Sequence, residues 1–199
     1  MLNNNKVVVL CSGGLDSLVT SELYRHLGYE VTLLYVNYGN RNHSEENSVV
    51  NRYASKYDLK WYWEEAKMSF YEPLLKKKQL FVPARNLMLL SMGVALAESI
   101  GASTVALGVI NVGDDPYPDC SEEFLEAIDN TAFLCSEVSV VAPLRFATKD
   151  KVVKMAIDFG LDLDEMYTCE NPTLEGEPCG LCVKCKDFEE AKTLVQNLK

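Results

Sequence analysis

Along these 199 residues the apolar positions follow two alternating rhythms. Compact runs of apolar and β-branched or aromatic residues at 6–11, 30–36, 60–64, 104–109 and 139–142 have the length of strands. Between them, residues 15–27, 44–57, 85–100, 121–134 and 148–159 repeat apolar side chains at helical intervals. Gly28, Gly101 and Gly160 stand where helices should stop, and Thr148 stands where one should be capped. Strands alternating with helices predict an α/β fold, doubly wound, with a mainly parallel sheet and helices on both faces. After Gly160 the pattern gives way to an acidic loop, a cysteine cluster and a short helix over 187–199. The expected organisation is an α/β domain over 1–160 and a small C-terminal segment over 161–199.

Composition narrows the class. Apolar residues make up 48%, as in ordinary globular proteins. No apolar stretch approaches the ~20 residues that span a bilayer, and Asn3-Asn4-Asn5-Lys6 leads into the first strand without a signal-peptide pattern. The expectation is a cytoplasmic protein with no membrane partner. A formal charge of −10 speaks against strong nucleic-acid binding, which draws on Lys and Arg. Lys76-Lys77-Lys78 reads as a solvated helix face.

The first strand runs into Ser12-Gly13-Gly14-Leu15-Asp16-Ser17 and then a helix. A glycine pair between strand and helix lets backbone N–H groups approach a phosphate, and the two serines add hydroxyl donors. Asp16 would repel phosphates unless a cation lay between them. The turn has no Gly-Lys-Ser/Thr and no third glycine, so it is neither a nucleoside-triphosphate P-loop nor a dinucleotide fingerprint. It is similar to the phosphate turn of the ATP pyrophosphatase (PP-loop) superfamily, whose members activate a carboxyl or carbonyl oxygen as an adenylate and release pyrophosphate. The plain alternative is a tight turn with no ligand.

Seven cysteines include Cys169, Cys179, Cys182 and Cys185, spaced C-x9-C-x2-C-x2-C. Two-residue gaps let thiolates converge on one ion, which suits tetrahedral Zn²⁺ in a closed structural site. An iron–sulfur cluster is the rival, although the Cys-Pro that would extend a ferredoxin run is replaced by Lys186-Asp187-Phe188-Glu189. Cys11, Cys120 and Cys135 read as packed small hydrophobes.

Further polar groups gather after strand ends. Pro83-Ala84-Arg85-Asn86 opens a long apolar helix, where Arg85 could fork onto a phosphate or carboxylate or serve in capping. Lys149, after Pro143-Leu144 and Thr148, could offset charge on departing pyrophosphate. Tyr38-Gly39-Asn40-Arg41 follows the second strand, at the sheet end where open α/β sheets hold ligands. In Tyr117-Pro118-Asp119-Cys120, Asp119 could accept from an amidine edge like that of guanine, or else cap the helix near Ser121. The two histidines, His26 and His43, form no triad, so no histidine base is assigned.

Taken together these segments resemble the QueC family of 7-cyano-7-deazaguanine synthases over nearly the whole chain. The resemblance implies adenylation of 7-carboxy-7-deazaguanine by ATP·Mg²⁺, attack by ammonia, and a second ATP-dependent activation that dehydrates the amide to the nitrile. It also implies a homodimer. On it Asp16, Ser17, Arg85 and Lys149 are expected to be catalytic, and Cys11, Ser12, Gly13, Gly14, Leu15, Asp16, Ser17 and Leu18 to hold the nucleotide. Tyr38, Arg41, Asn86, Tyr117 and Asp119 are expected at the deazaguanine, and the four clustered cysteines at Zn²⁺.

The chain departs from the family pattern at several points. Residues 69–79 are shorter than the usual insertion, Asn42-His43 stands for His-Arg, and Gly113-Asp114-Asp115-Pro116 replaces a polar-Gly lead-in. Ser121 stands for an arginine, and Asp187-Phe188 for Leu-Arg. These changes keep three alternatives open: a ligase joining a deazaguanine carboxylate to a different amine on a macromolecule, with a protein partner; a tRNA-thiolating relative; and a nucleotide-binding accessory subunit without turnover.

Overall fold

The computed structural model describes residues 2–76, 81–110 and 117–196. Residues 77–79 of the short 69–79 segment, Lys77 and Lys78 of the lysine run, the 113–116 lead-in and the last three residues of the 187–199 helix lie outside them.

Five parallel strands, Asn3–Leu10 (β1), Glu30–Asn37 (β2), Lys60–Glu65 (β3), Ala102–Leu107 (β4) and Ser139–Val141 (β5), form one sheet in the order β3-β2-β1-β4-β5. Alternation within β1 decides the layering, because successive side chains of a strand face opposite ways. Val7 and Val9 pack against Leu15–His26 (α1), His43–Tyr57 (α2), Lys149–Asp158 (α6) and Val183–Gln196 (α7). Val8 and Leu10 pack against Arg85–Ile100 (α4) and Glu122–Ser136 (α5) on the other face. The expected doubly wound α/β sheet with helices on both faces is what forms.

Several boundaries move, each for a local reason. β1 begins three residues before the expected 6, because the Asn3 N–H reaches Gly101 O at 2.8 Å beyond the end of the apolar core. β4 runs over Ala102–Leu107 instead of 104–109, since Gly108 turns in against α1. A one-turn helix over Glu72–Lys76 (α3) had no periodic signal. α7 starts at Val183, four residues before the expected 187, and takes Cys185 into its first turn. Thr148 occupies the N-cap position of α6 but makes no side-chain cap bond; its hydroxyl serves the Asp150 carboxyl instead, holding it below its usual value. Cys11 and Cys120 are buried as expected, whereas Cys135 is exposed, in the last turn of α5. Gly28, Gly101 and Gly160 all take the left-handed backbone expected at helix ends.

Among the described residues no helix is long and apolar enough to cross a membrane. The residues after Gly160 do not stand apart from the sheet. Met166, Tyr167, Phe188, Ala191 and Val195 are buried in the same apolar cluster as α1, α2 and α6.

Candidate active site

The strand order reverses between β1 and β4, and at their carboxyl ends lies a cavity of about 300 Å³. Ser12, Gly14, Leu15, Asp16 and Ser17 form its floor. Gly13 adopts φ 77°, and a Cβ there would meet Val49 Cβ at 2.9 Å and Glu46 O at 3.1 Å, so only glycine makes this turn against α2. The Ser17 hydroxyl donates to Gly14 O at 2.9 Å, closing the turn onto the first residues of α1. The N-terminus of α1 thus opens toward the cavity with its backbone N–H groups, a favourable place for phosphate.

Asp16 and Lys149, 133 positions apart, meet here: Lys149 Nζ donates to both Asp16 oxygens at 2.8 and 2.9 Å. Both are partly shielded, with side-chain exposures of 23% and 19%, so this pair is less screened than a surface bridge. Gly108 permits the approach. A Cβ on it would lie 2.8 Å from the Asp16 carbonyl carbon and oxygen, so β4 can cross the α1 turn only where a side chain is missing.

Across the cavity Arg85 projects from the start of α4. Its guanidinium lies 5.9 Å from the Tyr38 ring centre, and Nη1 is 3.5 Å from the Tyr38 hydroxyl. Ala84 before it is held at φ 54°, while the buried Tyr71 donates its hydroxyl to Pro83 O at 2.6 Å. Asn86 Nδ2 donates to Asp119 O at 2.8 Å, and the Asn86 N–H donates to Asp119 Oδ2 at 3.0 Å. This corrects the capping expectation: Asp119 caps α4, and α5 is capped by Ser121, whose Oγ accepts from Phe124 N at 3.1 Å. Asn86, Cys120 and Tyr117 border the cavity, with Tyr117 stacked on Phe81 at 5.4 Å, while Asp119 lies behind them. Arg41 borders it too, with Nε donating to Leu75 O at 3.2 Å. Of the residues expected at the nucleotide or the deazaguanine, Gly13, Leu18 and Asp119 stand outside the lining: Gly13 turns away, Leu18 is core, and Asp119 is the cap.

Several lining groups carried no sequence motif. Glu46 of α2 accepts from Asn40 Nδ2 at 2.8 Å, Asn42 Nδ2 at 2.9 Å and the Tyr35 hydroxyl at 3.2 Å. Burial pushes its carboxyl up to about 8, against the lowering pull of those bonds and of Arg85. The C-terminal residues Tyr167, Glu170 and Lys184 complete the wall, and the Tyr167 N–H donates to Gly13 O at 3.1 Å. Burial raises the Glu170 carboxyl, with Lys184 and Arg85 opposing.

Beside this wall the thiols of Cys169, Cys179, Cys182 and Cys185 all lie within 4.8 Å of one another. Four sulfurs around Zn²⁺ at ~2.3 Å would be ~3.8 Å apart, so the set fits a tetrahedral ion; Cys169 Sγ and Cys179 Sγ are 3.6 Å apart. N–H groups of Leu181 and Cys182 donate to Cys179 Sγ at 3.4 and 3.3 Å and pull that thiol down to about 6. Such bonds favour the thiolate that a metal needs. Asn42 Nδ2 also donates to Cys169 O at 2.9 Å, joining the cluster to the Glu46 network.

Comparison with solved structures shows the fold. NMN synthetase from Francisella tularensis superposes with a TM-score of 0.56 at 14% identity, covering 98% of this chain and 78% of that one. A 4-thiouridine synthetase–RNA complex with bound ATP gives 0.56 at 17% identity, covering 98% and 51%. In sequence the chain is 31% identical to the 7-cyano-7-deazaguanine synthase of Gloeothece citriformis, over 96% of this chain and 92% of the relative. It is 34% identical to that of Xylella fastidiosa, over 91% and 87%. The family model described as queuosine biosynthesis protein QueC matches residues 6–77 and 74–195, which takes in the phosphate turn, Arg85, Lys149 and all four clustered cysteines. With sheet, turn and cysteine cluster in agreement, the chain belongs to the QueC family of the PP-loop superfamily.

Proposed function

We propose that this protein uses ATP to adenylate the carboxylate of 7-carboxy-7-deazaguanine, that ammonia displaces AMP to give the amide, and that a second ATP-dependent activation dehydrates the amide to 7-cyano-7-deazaguanine. The observation that carries this reading is the pairing of Asp16, within the Ser-Gly-Gly-Leu-Asp-Ser turn, with Lys149 of α6, in one cavity with Arg85 at the switch point of the sheet.

In this reading the N–H groups at the start of α1 and the hydroxyls of Ser12 and Ser17 hold the triphosphate. A substrate carboxylate oxygen attacks the α-phosphorus, and the bond to pyrophosphate breaks. Lys149 exchanges its Asp16 partner for the departing pyrophosphate, and Arg85 offsets charge from the opposite wall. Asp16 is the carboxylate that would hold Mg²⁺, which supplies charge neutralisation along the phosphates. Tyr38, Arg41, Asn86 and Tyr117 border the space left for the deazaguanine, and Asp119 fixes Asn86. The four cysteines would hold Zn²⁺, whose part is structural because all four ligand positions are filled by thiolates.

The test supplies ATP, 7-carboxy-7-deazaguanine and ammonium and identifies the products by mass spectrometry. AMP, pyrophosphate and the nitrile are expected. ADP and phosphate would overturn the adenylation, and a stalled adenylate in the presence of ammonium would replace ammonia with another amine.

A further inference from the structure

The cavity lining includes buried acceptors that the described residues leave without donors. The three bonds onto Glu46 fix its carboxylate against the cavity wall. Asn40 is only 5% exposed, and its Oδ1 has no hydrogen-bond partner. Its amide cannot simply be turned over, because Nδ2 already donates to Asn42 Oδ1 and Glu46 Oε2. Glu170 Oε2 on the same lining is likewise buried without a partner. Buried acceptors left unmade carry their full desolvation penalty, so this corner is complete only with a ligand that brings N–H donors. The ionisable groups around Glu46 are Tyr35 of β2, Tyr38 beyond it, Cys11 at the end of β1, Arg85 of α4 and Tyr167 of the C-terminal wall. Arg85 is the single cation of that set.

Resting on the adenylation reading, we infer that Glu46 and Asn40 Oδ1 form the ammonium site, and that Glu46 is the base that turns ammonium into the nucleophile. Ammonium offers four N–H donors and one positive charge, which matches a small acceptor corner beside a carboxylate. The Glu46 carboxylate takes one proton from NH₄⁺, and the freed electron pair becomes the nitrogen lone pair. That pair forms the C–N bond to the acyl carbon; the C–O bond to the phosphate breaks and its electrons leave with AMP. The nitrogen then sheds one further proton to water, giving the neutral amide. An ordinary carboxylate is too weak a base for the first transfer. Burial of Glu46 raises its proton affinity to about 8 and narrows the gap.

The experiment compares two nucleophiles on the same adenylate. Hydroxylamine is largely neutral near pH 7 and needs no base to reveal its lone pair, whereas ammonium does. Glu46→Gln is expected to lower the ammonium rate relative to the hydroxylamine rate by about 10²–10⁴-fold, the usual worth of general base catalysis. Equal losses with both nucleophiles would make Glu46 merely structural and overturn the inference, as would an unchanged ratio. Tyr35→Phe is a milder second variant. It removes one bond that lowers the Glu46 proton affinity, so the pH profile with ammonium should move to higher pH; an unmoved profile would also count against the base. A wild type that yields neither hydroxamate nor ATP–pyrophosphate exchange would overturn the adenylation reading and this assignment together.

Discussion

Ala84 carries a left-handed backbone, φ 54°, at the entry to α4. That conformation costs a residue with a Cβ ~1–2 kcal/mol, while glycine there would lose ~0.5–1 kcal/mol in chain entropy. The strain is the larger effect, so Ala84→Gly should raise Tm by about 1–4 °C for a chain of this size, as calorimetry would show. Glu46 sets a pH dependence of opposite character. Its folded carboxyl titrates near 8 against a usual 4.5, so the folded state prefers the protonated form. That stability is present in full below the usual value and is lost as pH rises through about 8. Urea midpoints of wild type and Glu46→Gln should therefore diverge between pH 5 and 8, with the wild type alone declining through this group; parallel curves would contradict it. The strand-to-helix turn at Ser12–Ser17 was legible because its six residues are consecutive, whereas Glu46 works through partners on another strand and loop. One signal did exist: positions 46, 49, 50 and 53 are one stripe of α2, and Val49, Val50 and Tyr53 are buried, so a carboxylate sat in line with core residues.

Among the elements, α4 begins and ends where its pattern said, because Pro83 and Gly101 punctuate it on both sides. The start of β1 and the first turn of α7 were not legible. Asn3–Asn5 pair by backbone alone, and residues 183–186 lie within a cysteine spacing that reads as loop. The contact between α4 and β4 is set by Gly93, where an added Cβ would meet Val105 Cγ1 at 2.9 Å. Alanine would gain ~1 kcal/mol in helix propensity but lose ~1–3 kcal/mol to overpacking, since the stiff, buried valine has nowhere to go. Gly93→Ala should thus cost about 1 kcal/mol on balance, and at most about 2, read as a lower denaturation midpoint with an unchanged slope. A gain in stability would mean that α4 can slide outward on the sheet.

On the scale of the whole molecule, the cysteine cluster and the cavity share a wall. Tyr167 bonds to Gly13, and Asn42 joins Cys169 to Glu46. If the proposed zinc and ATP sites are real, a chelator should therefore do more than lower Tm: it should weaken ATP binding in the same titration. Calorimetry with and without chelator checks this, and unaltered ATP affinity after complete metal removal would show the wall to be self-supporting. The parallel sheet was legible in outline because each strand–helix repeat has its own hydrophobic rhythm. The contribution of the tail was not, because cysteine spacing reveals a ligand set without saying which surface it lies against.

The bond from Tyr167 back to Gly13 also joins parts of the site that are synthesised far apart in time. The turn is made early, from residues near position 13, yet the wall that closes over it comes from beyond position 166. During synthesis from the N-terminus, the growing chain carries a phosphate turn with no enclosure for most of its length. Until that far segment arrives, a nucleotide bound as proposed would have half a site and little leverage on the fold. The nucleotide can reward a finished chain, but it cannot guide an unfinished one.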